Sequence, residues 1–131
     1  GTAVASDSNL VVLAGDTHNG WANTLHDMNG TAVGVEFATA SISSPGLEAV
    51  LGIPDTATSM QAEAALELLI DDLAYLNANQ RGYMVVTFTA DEARADWRYV
   101  STVKSLTYSL DGERARSLAM LPGTGNRSIV A

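Results

Sequence analysis

The chain has 131 residues, 47% of them hydrophobic and 17% charged, a balance far from the disordered class and suited to a single domain or a fragment of one. Fifteen acidic residues against seven basic ones give a formal charge of −8, which argues against nucleic acid as a bound scaffold but admits a small phosphate-bearing substrate where a cation reverses the local potential. With no cysteine in the sequence, disulfides, thiolate metal ligands and cysteine nucleophiles are excluded, and no apolar run reaches the roughly 18 residues of a membrane span.

Residues 1–8, GTAVASDS, read as a loose lead-in without the charged-then-apolar pattern of an export signal. The first residue is glycine rather than methionine, so a processed, trimmed or engineered boundary is expected. Leu10 to Ala14 is a short apolar run closed by Gly15, which predicts a central strand buried on both faces. After the turn Gly15-Asp16-Thr17-His18, Trp21 to Met28 leads into Asn29-Gly30 and Thr31 to Thr39 returns. Asparagine and glycine tolerate the positive φ angles of a tight hairpin, so two adjacent strands are predicted. The stretch ASISSPGLEAVLGIP is loop-like, with at most a short helix from Leu47 to Leu51.

The main helix is predicted near 59–75. Thr58 and Gln61 have the spacing of a capping box, and Met60, Ala64, Leu68 with Ala65, Leu69, Leu73 form an apolar stripe. Glu63, Glu67 and Asp71 recur every four residues on the opposite face, where like charges repel by about 0.2–0.5 kcal/mol per pair, and Asp71-Asp72 opposes the helix dipole. Burial of the leucines, or a neutralising cation, must outweigh this. NANQRG stops the helix, YMVVTFTA is a strand, DEARAD a polar connection, and WRYVSTVKS alternates as a further strand. Asp111-Gly112 predicts another hairpin before RARSLAM, and LPGTGNRSIVA is a turn-rich, peripheral tail. The order β, ββ, α and a β meander describes a mixed α/β (α+β) fold, mostly strand.

The chemistry of the Gly-Asp-x-His turn rests on its place. The carboxyl end of a strand is where α/β proteins hold their ligands, and an aspartate with an imidazole suits zinc, manganese or iron, an aspartate alone calcium or magnesium. If the turn stays extended, Asp16 and His18 share a face. Four residues leave a metal site and an ordinary turn both open, and two donors cannot complete a site that needs four or more. Glu36 reads as an exposed sheet-face acid, Asp71 and Asp72 as a solvated helix end, and His26 as exposed near its turn. Ser41, Ser43 and Ser44 lack a nucleophile elbow, GTGN at 123–126 precedes no helix, and Trp21, Trp97 and Tyr99 read as core or sheet residues.

Together, LAGDTHNGW, VGVEFATASISSPGLE, YLNANQRGYMVVTFT and DWRYVSTVKS resemble, in order and spacing, the C-terminal part of the alkaline phosphatase D (PhoD-like) family of metallophosphatases, over roughly residues 9–105. The resemblance implies the C-terminal portion of a four-layer sandwich of two β-sheets with flanking helices. It implies an enzyme, a metal-dependent phosphatase or phosphodiesterase acting on phosphate esters with bound calcium, iron, manganese or zinc, and periplasmic or secreted in bacteria. It makes Asp16 a metal ligand, and His18 a metal ligand or a catalytic hydrogen-bond donor to phosphate. Asn19, by proximity alone, is a candidate for binding a phosphate oxygen of the substrate.

Two departures qualify it. Some family members carry a histidine several residues before RGY, where this chain has Asp72 nearby, and the other metal motifs of the family lie upstream of the turn, where only about fifteen residues precede it here. The chain is therefore expected to be the last part of an enzyme, inactive alone, whose partner is the missing N-terminal part or a second copy. The alternative is a stand-alone, non-catalytic binding or assembly module with the same partial fold.

Overall fold

The computed structural model describes residues 8–131; the lead-in expected over 1–8 lies outside them but for Ser8. Among the described residues seven strands and two helices follow in the order β1 (Leu10–Ala14), β2 (Gly20–His26), β3 (Ala32–Ala38), α1 (Leu47–Leu51), α2 (Thr56–Leu69), β4 (Leu73–Asn77), β5 (Gly82–Phe88), β6 (Ala93–Val100) and β7 (Leu110–Met120). They form a four-stranded sheet ordered β1-β3-β2-β4 and a three-stranded antiparallel sheet ordered β5-β6-β7. The fold is mixed α/β and mostly strand, as expected.

The hairpin predicted at Asn29-Gly30 joins β2 to β3: Gly30 takes φ 78, and the Asp27 carboxylate accepts the N–H groups of Asn29 and Thr31, each at 2.9 Å. Among the described residues β1 lies at the border of the sheet rather than at its centre, pairing in parallel with β3 alone, and Leu10 and Leu13 are 40% and 53% exposed. The unbroken apolar run that suggested burial on both faces is a demand for cover that the described residues meet only in part.

The two sheets face each other across one core. Ala22, Val35 and Phe37 of the larger sheet meet Ala95, Trp97, Tyr99, Leu118 and Met120 of the smaller. Phe37 and Trp97 pack edge to face with centroids 5.8 Å apart, and the Trp97 indole N–H donates to the Ala38 carbonyl at 2.7 Å, tying the sheets by a polar bond as well as by packing. On the other face of the larger sheet, Leu73, Leu76 and Ala78 pack with Trp21, Leu47 and Leu66, which attaches both helices.

Helix α2 departs from its prediction in bounds, cap and buried face. Asp55, not Thr58, is the N-cap, its carboxylate accepting from Thr58 N at 2.8 Å. The helix ends at Leu69, and Leu73–Asn77 is strand β4, paired antiparallel with β2. Ser59 and Glu63 are its buried residues, whereas Met60, Leu68 and Leu69 are 49%, 84% and 78% exposed. The reason is hydrogen bonding at a sheet edge. β4 closes the larger sheet on one side, and its neighbouring N–H groups need acceptors: Glu67 takes that of Leu76 at 2.8 Å and Glu63 that of Ala78 at 2.7 Å. Ser59 and Arg114 complete the Glu63 carboxylate at 2.9 and 2.7 Å. Glu63 and Glu67, expected on the face opposite the buried stripe, are the residues that fasten the helix.

Three smaller corrections follow. β6 begins at Ala93, inside the supposed connection DEARAD. Asp111-Gly112 is no hairpin but part of β7, at an irregularity where the register against β6 shifts between Trp97 and Tyr99. The tail is not wholly peripheral, since Val130 exchanges two backbone hydrogen bonds with Ala119 at 2.9 and 2.8 Å and Ile129 packs on the core.

Candidate functional site

The parallel strands β1 and β3 end together, with Thr39 N donating to the Ala14 carbonyl at 3.0 Å, so the Asp16–His18 turn and the segment after β3 share the carboxyl edge of the larger sheet. The turn is not extended. His18 N reaches back to the Gly15 carbonyl at 3.4 Å, and His18 has φ 60, the one positive φ of a non-glycine residue among those described. Alternation therefore does not govern where Asp16 and His18 point. Asp16 is exposed, His18 half-buried and Asn19 buried.

His18 is held by its ring. Nδ1 lies 2.9 Å from the Pro45 carbonyl oxygen, which only accepts, so Nδ1 carries the proton in this bond and the neutral ring offers its lone pair at Nε2. Asn19 is 1% exposed, and its Nδ2 has no hydrogen-bond partner; a buried donor left unpaired costs about 1–3 kcal/mol unless something completes it. Gly20 is there for space: a β-carbon at Gly20 would stand 2.0 Å from the Tyr99 hydroxyl.

A second group of residues at this edge escaped the sequence reading. NANQRG looked like a helix stop, yet Asn77, Gln80 and Arg81 are buried. Asn77 turns the chain by accepting from Gln80 N at 3.1 Å. Gln80 donates to Asp111 at 2.7 Å and accepts from Arg114 at 3.1 Å. Arg81 pairs with Glu48 of α1. Burial pushes the Glu48 carboxyl up, but the Arg81 guanidinium and the Gly46 N–H outweigh it and hold the group below its ordinary value. Beside the pair lies an open cleft of about 240 Å³ whose lining includes Asp55, Asn79, Thr102 and Lys104. The available signal was two strands flanking a polar run too short to be a free loop.

Other candidates are placed elsewhere. Glu36 is half-buried rather than exposed and accepts from Asn23 at 2.6 Å. Asp72 pairs with the exposed His26 at 3.1 Å; His26 ends β2 whereas Gly20 starts it, and seven strand residues span about 20 Å. Asp72 thus stands far from the Asp16 turn and cannot replace a ligand there. Ser41 donates to the Ser44 carbonyl at 2.6 Å in an ordinary turn.

Asp16 and His18 are donors of the right kind for a divalent or trivalent cation, an exposed carboxylate and an imidazole with Nε2 available, but among the described residues no three His, Cys, Asp or Glu side chains converge. The chain can supply part of a ligand set.

The family model of PhoD-like phosphatases matches residues 2–97. The chain belongs to the PhoD-like phosphatase family. A solved structure of PhoD superposes with a TM-score of 0.66 at 23% identity, covering 92% of this chain and 22% of that one, which shows the shared fold. This PhoD-like chain therefore spans about a fifth of the length of the structure it matches. No curated protein matches it.

Proposed function

We propose that this chain forms one corner of a metal-dependent phosphate-ester hydrolase, a phosphatase or phosphodiesterase, and is inactive without the remainder of the catalytic domain. Family membership over residues 2–97 carries the reaction class. The edge geometry supports the roles: Asp16 and the Nε2 of His18 as metal donors, or His18 as a donor to phosphate, and the unpaired Nδ2 of Asn19 as a hydrogen-bond donor to a phosphoryl oxygen. Bound calcium, iron, manganese or zinc would neutralise phosphoryl oxygens and lower the pKa of a coordinated water. The chain's own part is to orient: a ring fixed by Pro45 and an amide buried at the same turn give the substrate a preformed contact. The missing donors belong to the N-terminal part of the enzyme, and an exported, periplasmic or secreted location goes with the family; no helix among the described residues is long and apolar enough to cross a membrane.

The test is turnover of aryl phosphate mono- and diesters with manganese, calcium or iron, by the isolated chain and by a protein carrying the upstream coding sequence. Activity is expected only in the longer protein and is expected to vanish with Asp16→Ala. Metal-dependent turnover by the isolated chain, abolished by the same substitution, would overturn its inactivity.

A second reading, a non-catalytic module for binding or assembly, draws on the exposed face of α2 with Met60, Leu68 and Leu69 and on the open edge of β1. A stable dimer of the isolated chain, with a start codon just before Gly1, favours it.

A further inference from the structure

Between the end of β3 and the start of α1 the backbone makes a loop, residues 39–46, that is pinned at both ends by the segment after β4. At its start, the Ser41 carbonyl accepts from Gly82 N at 3.1 Å. At its end, Glu48 N donates to the Ala78 carbonyl at 3.2 Å, and the Glu48 carboxylate pairs with Arg81. Arg81 is itself 8% exposed and fixed by a second bond, Nη1 donating to the Asn79 carbonyl at 3.1 Å. The Pro45 carbonyl, the acceptor of the His18 ring, lies inside this pinned loop.

Gly46 is where the two halves touch. A β-carbon there would stand 2.8 Å from the His18 carbonyl oxygen, 2.9 Å from Glu48 Oε2 and 3.4 Å from Arg81 Nη1. Its φ is −107, which any residue adopts, so the glycine answers to space and not to backbone conformation. His18 is thus bounded by its own left-handed backbone, by the Pro45 carbonyl on its ring and by Gly46 against its carbonyl, with the Glu48–Arg81 pair behind.

We infer that Glu48 and Arg81 are positioning residues for His18, acting through the Pro45–Gly46 backbone to keep the imidazole in the Nδ1–H form with Nε2 presented at the carboxyl edge. The inference rests on the proposed role of His18 for its purpose but not for its geometry. Neither residue bonds the ring itself, whose partner is the Pro45 carbonyl. Removing the pair releases the loop end, the Pro45 carbonyl moves off Nδ1, and the ring becomes free to exchange tautomers, as second-sphere partners of a ligating histidine generally prevent.

The experiment is nitrogen-15 NMR of imidazole-labelled, metal-free 131-residue chain at about pH 8.5, above the ordinary imidazole value. The chain has two histidines, and the exposed His26 serves as the internal reference. His18 is expected to show one dominant tautomer with the proton on Nδ1. Arg81→Gln and, separately, Gly46→Ala are expected to turn it into a tautomer mixture while the backbone amide spectrum of both sheets and the His26 signals stay in place. Glu48→Gln keeps the acceptor oxygen and serves if Arg81→Gln does not fold. A His18 ring protonated on Nε2 in the unsubstituted chain, or one unchanged in the folded variants, overturns the inference. These outcomes are independent of turnover by the longer protein, so failure of the clamp and failure of the hydrolase reading are distinguishable.

Discussion

The Tyr99 hydroxyl stands where a side chain on Gly20 would begin, 2.0 Å from the position of its β-carbon. The contact joins the first residue of β2, next to the candidate site, to the middle of the opposite sheet. Gly20→Ala is therefore expected to destabilise the chain by at least about 1–3 kcal/mol. In a double-mutant cycle Gly20→Ala with Tyr99→Phe should cost less than the sum of the two, because the second change removes the atom that the first collides with. Urea unfolding of the four proteins measures this.

The same hydroxyl accepts a hydrogen bond from Tyr75 at 2.8 Å. Burial pushes the Tyr75 phenol from 10.0 up to about 12, and burial together with the neighbouring Tyr75 raises Tyr99 further. A raised folded value means that the neutral phenol is the form the fold favours. Its stabilisation is complete below pH 10 and lost as pH rises toward 12. Of the four tyrosines, these two should stay un-ionised until the chain unfolds, read as tyrosinate absorbance against circular dichroism.

On the acid side the sign reverses. Glu48 is held below its ordinary 4.5, so its contribution is present above that value and lost as pH falls through the lower folded value. Glu48→Gln should flatten the loss of thermal stability below pH 4.5 relative to the unsubstituted chain, with little change near neutrality beyond the broken charge pair.

Glu63 is buried among three donors, so truncation strands Arg114 and the Ala78 N–H together. Glu63→Ala is expected to cost about 3–5 kcal/mol, and Glu63→Gln, which keeps an acceptor, clearly less. By contrast Leu68→Glu with Leu69→Lys should change stability by less than about 0.5 kcal/mol while reducing the binding of a hydrophobic dye. Equal costs for both sets would mean that the leucines and not the acids face the core.

Much of the fold was legible. The Asn29-Gly30 hairpin, the short helix Leu47–Leu51 and the strand after Gly82 follow from local chemistry, which acts within a few residues. What escaped depends on distant partners. The α2 periodicity was real, but periodicity cannot tell which face is buried when carboxylates on the polar face are needed as acceptors for N–H groups 9 and 15 residues away. Leu73 continued the helical stripe yet lies in a strand, because pairing with β2 is invisible to local pattern. At the site, the turn could be located from Gly15, Asp16 and His18, whereas Pro45, Glu48 and Arg81 reach it only through the third dimension.

The two glutamates of α2 that take the N–H of Leu76 in β4 and that of Ala78 just after it also give the larger sheet a direction. With Leu76 and Ala78 already bonded to Glu67 and Glu63, no further strand can be added beyond β4 without first evicting a helix. Among the described residues the other border, β1, carries no such plug. A strand added at that border would lie alongside Leu10–Ala14, the strand that runs directly into the Asp16 turn, and would wall the site.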